Sequence, residues 1–393
     1  MKPYIHKKII SKLSYIPTKN ILLTCLLILN DFFSLKRLQY NKVFDNTYHI
    51  DKAIKWLCKA QNINTGKGVS AGFHLLYGWL PAYPETTGYI IETFFEWSNI
   101  SNNPEFRNRA INMAYWLLEI QNEDGSITDM YFKNKMVFDT SQVIFGLIKA
   151  FYETKEERFL QAALKAGKWL ISVQEKNGSW IKYALNNIAH TYYSRVAWSL
   201  VCLYQATKKL DFLKASLKNI EWTLSNQREN GWFERASFNL NTKPYTHTIA
   251  YTLRGILEVG ILTKNEKFIR CVCKSIDKIV EDINDRGFVC GAYDMNWIGD
   301  KRFSCLTGSA QISLILFRLY TITHNKKYLL TAKNINKFLK KTQQLRLKHA
   351  EIYGAIAGSF PVWGDYLHFT YPNWAAKFFI DSLILEELIK NDK

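Results

Sequence analysis

A tryptophan followed five residues later by glutamine recurs along this chain, at Trp56/Gln61, Trp116/Gln121, Trp169/Gln174 and Trp222/Gln227. Phe338/Gln343 repeats the figure with a phenylalanine. Successive steps are 60, 53, 53 and 116 residues, the last close to two periods. A regular period of this size marks a chain built from one supersecondary unit set beside itself. Each Trp/Gln segment has the apolar spacing of an amphipathic helix, as in residues 163–170. It stops at a turn carrying Gly125, Gly178, Gly231 or, in the fifth unit, Gly287.

A second register follows. Glu85-Thr86, Asp139-Thr140, His190-Thr191, His247-Thr248, Leu306-Thr307 and Tyr371-Pro372 each stand before a segment that is apolar nearly all round. Thr is expected there as an N-cap and Pro as a first-turn residue. A helix apolar on every face is a buried one. Six hairpins, each with an outer amphipathic and an inner buried helix, predict an all-α fold, the (α/α)6 toroid. An open solenoid is the competitor, and its helices are more evenly amphipathic.

A length of 393 residues alone favours two or three domains. The unbroken repeat favours one toroid domain over 49–393, preceded by a short helical, basic amphipathic extension over 1–48. In that extension an apolar run at 21–29 follows Lys2, Lys7, Lys8, Lys12 and Lys19. Nine residues fall short of the about 20 needed to cross a bilayer, and no small-residue cleavage site follows. Two placements remain open: a basic arm on an anionic membrane surface, or a helix packed across the toroid.

The formal charge of +18 calls for an anionic partner or marks a solvated basic surface. With no nucleic-acid motif and the lysines scattered over outer-helix faces, nucleic acid is not expected. Seven cysteines without regular spacing read as free thiols of a reducing compartment. A cytoplasmic protein, peripheral at the inner membrane, is the expectation. The absence of a CxxC or HExxH figure predicts neither metal nor cofactor.

In a toroid the inner helices run parallel, so six positive helix ends converge on one mouth. Glu85, Asp139, His190, His247 and Asn373 fall at that level, with Tyr83, Tyr193, Arg195, Tyr245 and Lys377 close by. The preceding loops carry Trp79, Trp180, Trp232, Trp297 and Trp363, with Glu234 and Asp294 beside them. Aromatic faces next to carboxylates and amides are the lining of a carbohydrate groove. Each tryptophan singly is more often core.

The stretches at residues 78–91, 305–311, 358–364 and 371–379 are similar to uncharacterised six-hairpin proteins of bacterial exopolysaccharide, capsule and O-antigen biosynthesis clusters. These are distantly akin to glucuronyl C5-epimerases and polysaccharide lyases. The resemblance implies an (α/α)6 toroid acting on an acidic oligo- or polysaccharide, free or lipid-linked. The Trp/Gln figure also resembles the repeats of triterpene cyclases, but no Asp-x-Asp-Asp acid is present, so that likeness is architectural.

Three readings follow. Uronate C5-epimerisation or elimination needs a base, an acid and a carboxylate clamp. His247 with Tyr245 is expected as base, His190 with Tyr193 as acid, and Arg195 or Lys377 as clamp. A glycoside hydrolase needs two facing carboxylates instead, expected at Glu85 and Asp139. A glycan-binding scaffold needs only the groove.

Overall fold

The computed structural model describes residues 18–37, 42–347 and 349–391. Lys2, Lys7, Lys8 and Lys12 lie outside them. Six outer helices are α2 (Asn46–Asn62), α4 (Pro104–Ile120), α6 (Glu157–Ser172), α8 (Leu210–Leu224), α10 (Glu266–Asp282) and α12 (Lys326–Thr342). They alternate with six inner ones, α3 (Pro84–Ser101), α5 (Val137–Thr154), α7 (Ser194–Thr207), α9 (Thr246–Leu262), α11 (Leu306–Thr323) and α13 (Asn373–Asn391). An additional helix, α1 (Thr18–Arg37), precedes them.

The inner helices pack in chain order, and α13 returns to α3, so the array is a closed ring. At the closure Thr93 donates a 2.6 Å hydrogen bond to Asp381. Glycines set the spacing where α3 meets α5. A Cβ on Gly88 would lie 2.6 Å from the Val143 Cα, and one on Gly146 would lie 2.2 Å from the Gly88 carbonyl oxygen.

The repeated glutamine is the staple of the outer layer. The Gln121 Nε2 donates to the Gly125 carbonyl of its own turn at 3.0 Å and to Ala162 of the next outer helix at 3.0 Å. Gln174 does the same toward Gly178 and Ala215, and Gln227 toward Gly231 and Cys271. Gln343 bonds Gly354 at 2.8 Å and then His49 of the first outer helix at 3.0 Å, which closes the outer ring as well. The turn glycines are forced twice over. Gly178 has φ +93°, and an added Cβ would sit 2.4 Å from the Lys218 carbonyl.

Connections at the far end are short, with left-handed residues such as Asn102, Lys155, Lys208 and His324 ending inner helices. The long loops all lie at the mouth end. There β1 (Gly72–His74) pairs with β2 (Gly78–Trp79) and with β5 (Thr370–Pro372), and β3 (Ser304–Cys305) pairs with β4 (Ser359–Phe360). The first sheet ties the first long loop to the last.

The expected threonine N-caps are corrected. The cap positions of α3, α5, α7 and α9 are Tyr83, Met136, Tyr193 and Tyr245, none with a side-chain capping bond. The threonines sit just inside, and Thr140, like Thr87 next to the expected Thr86, pins the incoming loop. Thr87 accepts from the Val69 N–H at 3.0 Å, and Thr140 accepts from the Ile127 N–H at 2.8 Å. A hydroxyl one turn in serves the loop better than a helix end already facing its neighbours.

Helix α1 packs on mouth-end loops. The Asn20 amide donates to the Leu76 carbonyl at 3.1 Å, and the Val362 N–H donates to Asp31 at 2.8 Å. Among the described residues no helix is long and apolar enough to cross a membrane. All seven cysteines are unpaired.

Candidate active site

Glu85 and Asp139 occupy the first turns of α3 and α5, the two inner helices brought together at Gly88 and Gly146. Both are buried, at 7% and 3% exposure. The Tyr83 hydroxyl donates to Glu85 at 2.5 Å, while the Asp139 Oδ2 is buried without a partner. Burial pushes the Glu85 carboxyl up to about 7, against the opposing pull of Tyr83 and the Arg195 charge. Burial and the neighbouring Glu85 charge hold Asp139 well above the carboxylate range. Two acids in one dry site share protons rather than both ionise.

Beneath them lies a fixed positive charge. The Arg195 guanidinium stands 4.6–5.8 Å from the rings of Tyr89, Phe145, Trp198, Tyr251 and Phe378, which belong to five inner helices. Such surroundings put it on the toroid axis. Its Nε donates to Gln142 at 2.9 Å, and the residue is 3% exposed. Arg195 is therefore a floor under the carboxylates rather than a clamp reaching toward the mouth. Lys377, likewise buried, is ion-paired with Asp381 one turn further along α13.

His247 is held in one tautomer. The Gln311 Nε2 lies 2.7 Å from its Nδ1 and 3.2 Å from the Thr307 carbonyl, which only the amide nitrogen suits. The amide thus donates to Nδ1, and the ring proton sits on Nε2. Burial and the Arg195 charge lower its pKa to about 3, so the ring is a neutral hydrogen-bond donor. Tyr251 packs 4.2 Å away and Tyr366 5.2 Å away, ring to ring. As a base, His247 would first have to lose this arrangement.

His190 is taken up by structure. Its Nδ1 meets the Ser237 carbonyl at 3.0 Å and its Nε2 the Leu185 carbonyl at 2.9 Å. Neither nitrogen is left for a substrate. Burial nonetheless depresses its pKa to about 4. The Tyr193 hydroxyl accepts from the Leu185 N–H at 3.0 Å, binding the same loop. The Tyr245 hydroxyl donates to the Asp365 carbonyl at 3.2 Å.

The loop aromatics part company in the same way. Trp180 is 1% exposed and donates to the Leu170 carbonyl. Trp232 and Trp297 pack edge to face at 5.2 Å, both buried, and Trp297 donates to Asn230. Trp79 stacks on Trp56 at 5.7 Å and donates to Glu351. These four are core and clamp, as single tryptophans usually are. Trp363 is half-buried beside His368, whose Nδ1 meets its carbonyl. Glu234 is ion-paired with Arg228. Asp294 accepts two backbone N–H bonds within its own turn. Asn373 donates to Ser70 and Thr86 while its Oδ1 stays unpartnered.

Tyr89, Tyr251 and Gln311 were not expected. Each stands on an inner helix four residues past Glu85, His247 and Thr307 respectively, one turn deeper on the same face. That spacing is the signal by which they were open to detection. Thr307 Oγ1 and Gln311 Oε1 join Asp139 Oδ2 and Asn373 Oδ1 as buried atoms without partners. Buried polar groups are normally satisfied, so each of these atoms has capacity for a polar partner. Among the described residues no group of His, Cys, Asp and Glu is arranged to hold a metal ion.

Comparison with known proteins agrees with this architecture. The family model described as "Squalene-hopene cyclase C-terminal domain" matches residues 79–258. A structure of an unsaturated glucuronyl hydrolase specific for heparin is similar with TM-score 0.71 and 15% identity, over 88% of this chain and 98% of that one. Cellobiose 2-epimerase from Bacillus thermoamylovorans B4167 is similar with TM-score 0.67 and 12% identity, over 85% and 96%. An α-amylase from Clostridium perfringens is similar with TM-score 0.62 and 15% identity, over 86% and 97%. No curated protein matches. At these identities the likeness establishes the (α/α)6 toroid and not the reaction.

Proposed function

We propose that this chain is a carbohydrate-active enzyme, and that its reaction is glycoside hydrolysis by Asp139 and Glu85. The observation that carries the reading is the buried pair itself: two carboxyls at converging helix N-termini, driven to different protonation states by different surroundings. Asp139 has no cation or hydroxyl on its free oxygen and keeps its proton, which suits a general acid for the leaving oxygen. Glu85, held by the Tyr83 hydroxyl and facing the Arg195 charge, is the one that ionises near neutrality. It serves as nucleophile, or as base for water, at the anomeric carbon. His247 donates from Nε2 to a sugar hydroxyl.

The named neighbours lend the substrate class: they hydrolyse or epimerise sugars. Uronate C5-epimerisation, with elimination as its variant, remains the second reading, favoured by the epimerase among those neighbours. It has to place its base at Glu85 rather than His247, and both cations expected as carboxylate clamps are buried. The setting in surface-polysaccharide assembly, with an acidic glycan as partner, belongs to this proposal as well.

The test is proton NMR in D2O with neutral, uronic-acid and unsaturated-uronyl oligosaccharides. New reducing ends, lost in Asp139→Asn and Glu85→Gln, support hydrolysis. Deuterium entering a sugar carbon without bond cleavage supports epimerisation, and an unsaturated product supports elimination. Binding shifts without turnover across the panel overturn the enzymatic reading.

A further inference from the structure

We propose that the mouth end of the toroid is a docking face that seats on an anionic membrane surface. The inference concerns the protein surface and stands or falls apart from the chemistry assigned to the mouth.

The first observation is the orientation of α1. Its inner face is mixed: Leu23 and Leu27 are buried beside Asn20 and Thr24, and burial pushes the Asp31 carboxyl up to about 6 against its bond from Val362. A second, larger apolar set faces outward, with Ile21, Leu22, Leu26, Leu29, Phe32 and Phe33 all exposed, Leu22 at 62% and Phe32 at 61%. Leu23 and Leu27 already seat α1 on the toroid, so the six apolar side chains of its outer face are surplus to that packing. The anchor points at Leu76 and Val362 lie in the first and last long loops, so this apolar surface stands at the mouth end.

The second observation is independent of α1. The four intervening long loops each raise a bulky apolar side chain at the same end: Phe132, Ile181, Leu240, and the pair Met295 and Ile298. Ile298 is 62% exposed and Leu240 57%. Each tip has cations close in sequence, namely Lys133, Lys182, Lys243, and Lys301 with Arg302. Lys301 and Arg302 remain 72% and 78% exposed although ion-paired.

Apolar tips beside cations are the composition that inserts below lipid headgroups while pairing with anionic ones. Charge selects this occupant over a second copy of the chain. A net +18 repels its like. With α1 across one side and the loop tips around the rest, the mouth opens toward the headgroups.

The experiment is vesicle co-sedimentation of the full chain with phosphatidylcholine alone and with phosphatidylcholine–phosphatidylglycerol mixtures. Two surface variants are run beside it, Leu22→Glu/Phe33→Glu on α1 and Phe132→Glu/Ile298→Glu on the loops. Binding is expected to anionic vesicles only, falling about tenfold or more in each variant as apolar burial is lost and like charge added. Failure to bind anionic vesicles overturns the proposal, as does equal binding to neutral ones. Loss in the α1 variant with none in the loop variant overturns the shared face. Sedimentation velocity that finds a dimer dissolved by Leu22→Glu/Phe33→Glu assigns the surface to self-association instead.

Discussion

Asp139 has a buried oxygen with nothing to bond, and Glu85 beside it has a tyrosine hydroxyl; the proposed hydrolysis divides their labour by that difference. On the hydrolytic reading, activity rises as pH climbs through about 7, because Glu85 must ionise while Asp139 stays protonated. Tyr83→Phe removes a bond that favours the ionised Glu85, so the rising limb moves to higher pH. A limb that stays put in kcat/KM against pH denies Tyr83 this part. Stability should run the other way. Folding lifts Glu85 from an ordinary 4.5 to about 7, so the folded state binds more protons than the unfolded between those values. Stability then falls as pH rises across that window. Glu85→Gln removes the cost of ionising a buried acid and should stabilise the protein at pH 8 by on the order of 2 kcal/mol. Urea unfolding at pH 5 and pH 8 measures this, with the gain confined to the higher pH. Such an outcome is usual where a site is kept at the expense of the fold.

The glutamine of each outer helix joins a turn to the next helix, so its loss is felt across a unit boundary. Gln174→Ala should cost about 1–3 kcal/mol, for it removes both bonds by which one amide joins the Gly178 turn to Ala215 of the next outer helix, leaving Asn219 as the side-chain donor to Gly178. Gly178→Ala should cost at least as much, since φ +93° and the 2.4 Å approach to Lys218 both oppose a Cβ. Chemical denaturation of the two variants separates this account from one in which the motif is merely recurrent. A wild-type midpoint for Gln174→Ala would leave the staple without energetic content. The inner helices are coupled otherwise, by glycine contacts such as Gly88 with Val143 and by ion pairs such as Arg318 with Glu258 at 3.0 Å.

Ring closure makes the last unit a neighbour of the first. Gln343 bonds His49, Gly354 packs on Lys52, β5 pairs with β1, and α13 lies against α3. Gln343→Ala should therefore destabilise the protein about as much as Gln174→Ala, by about 1–3 kcal/mol. In an open stack a terminal staple would matter far less. Removing residues 373–391 should abolish cooperative unfolding by circular dichroism, since the inner ring loses the helix that closes it on α3. Survival of a cooperative transition in that truncated chain would mean that the units stand without closure.

The residues themselves carried the period, the helix pairing and the placing of Glu85, Asp139 and His247 in the first turns of inner helices, because each follows from local spacing repeated along the chain. Glu85 and Asp139 were legible as a pair since they open consecutive inner helices. Position along the chain does not say which way a side chain's bonds are already committed. His190 stands in register with His247, yet two backbone carbonyls claim one ring and a single amide orients the other. Trp180 and Trp79 have the sequence setting of ligand platforms, and in the folded ring Leu170, Trp56 and Glu351 occupy them. Arg195 became a floor only when five helices surrounded it. Periodicity is a one-dimensional property and survives in the sequence; the satisfaction of polar groups depends on partners from distant units, and only the closed ring supplies them.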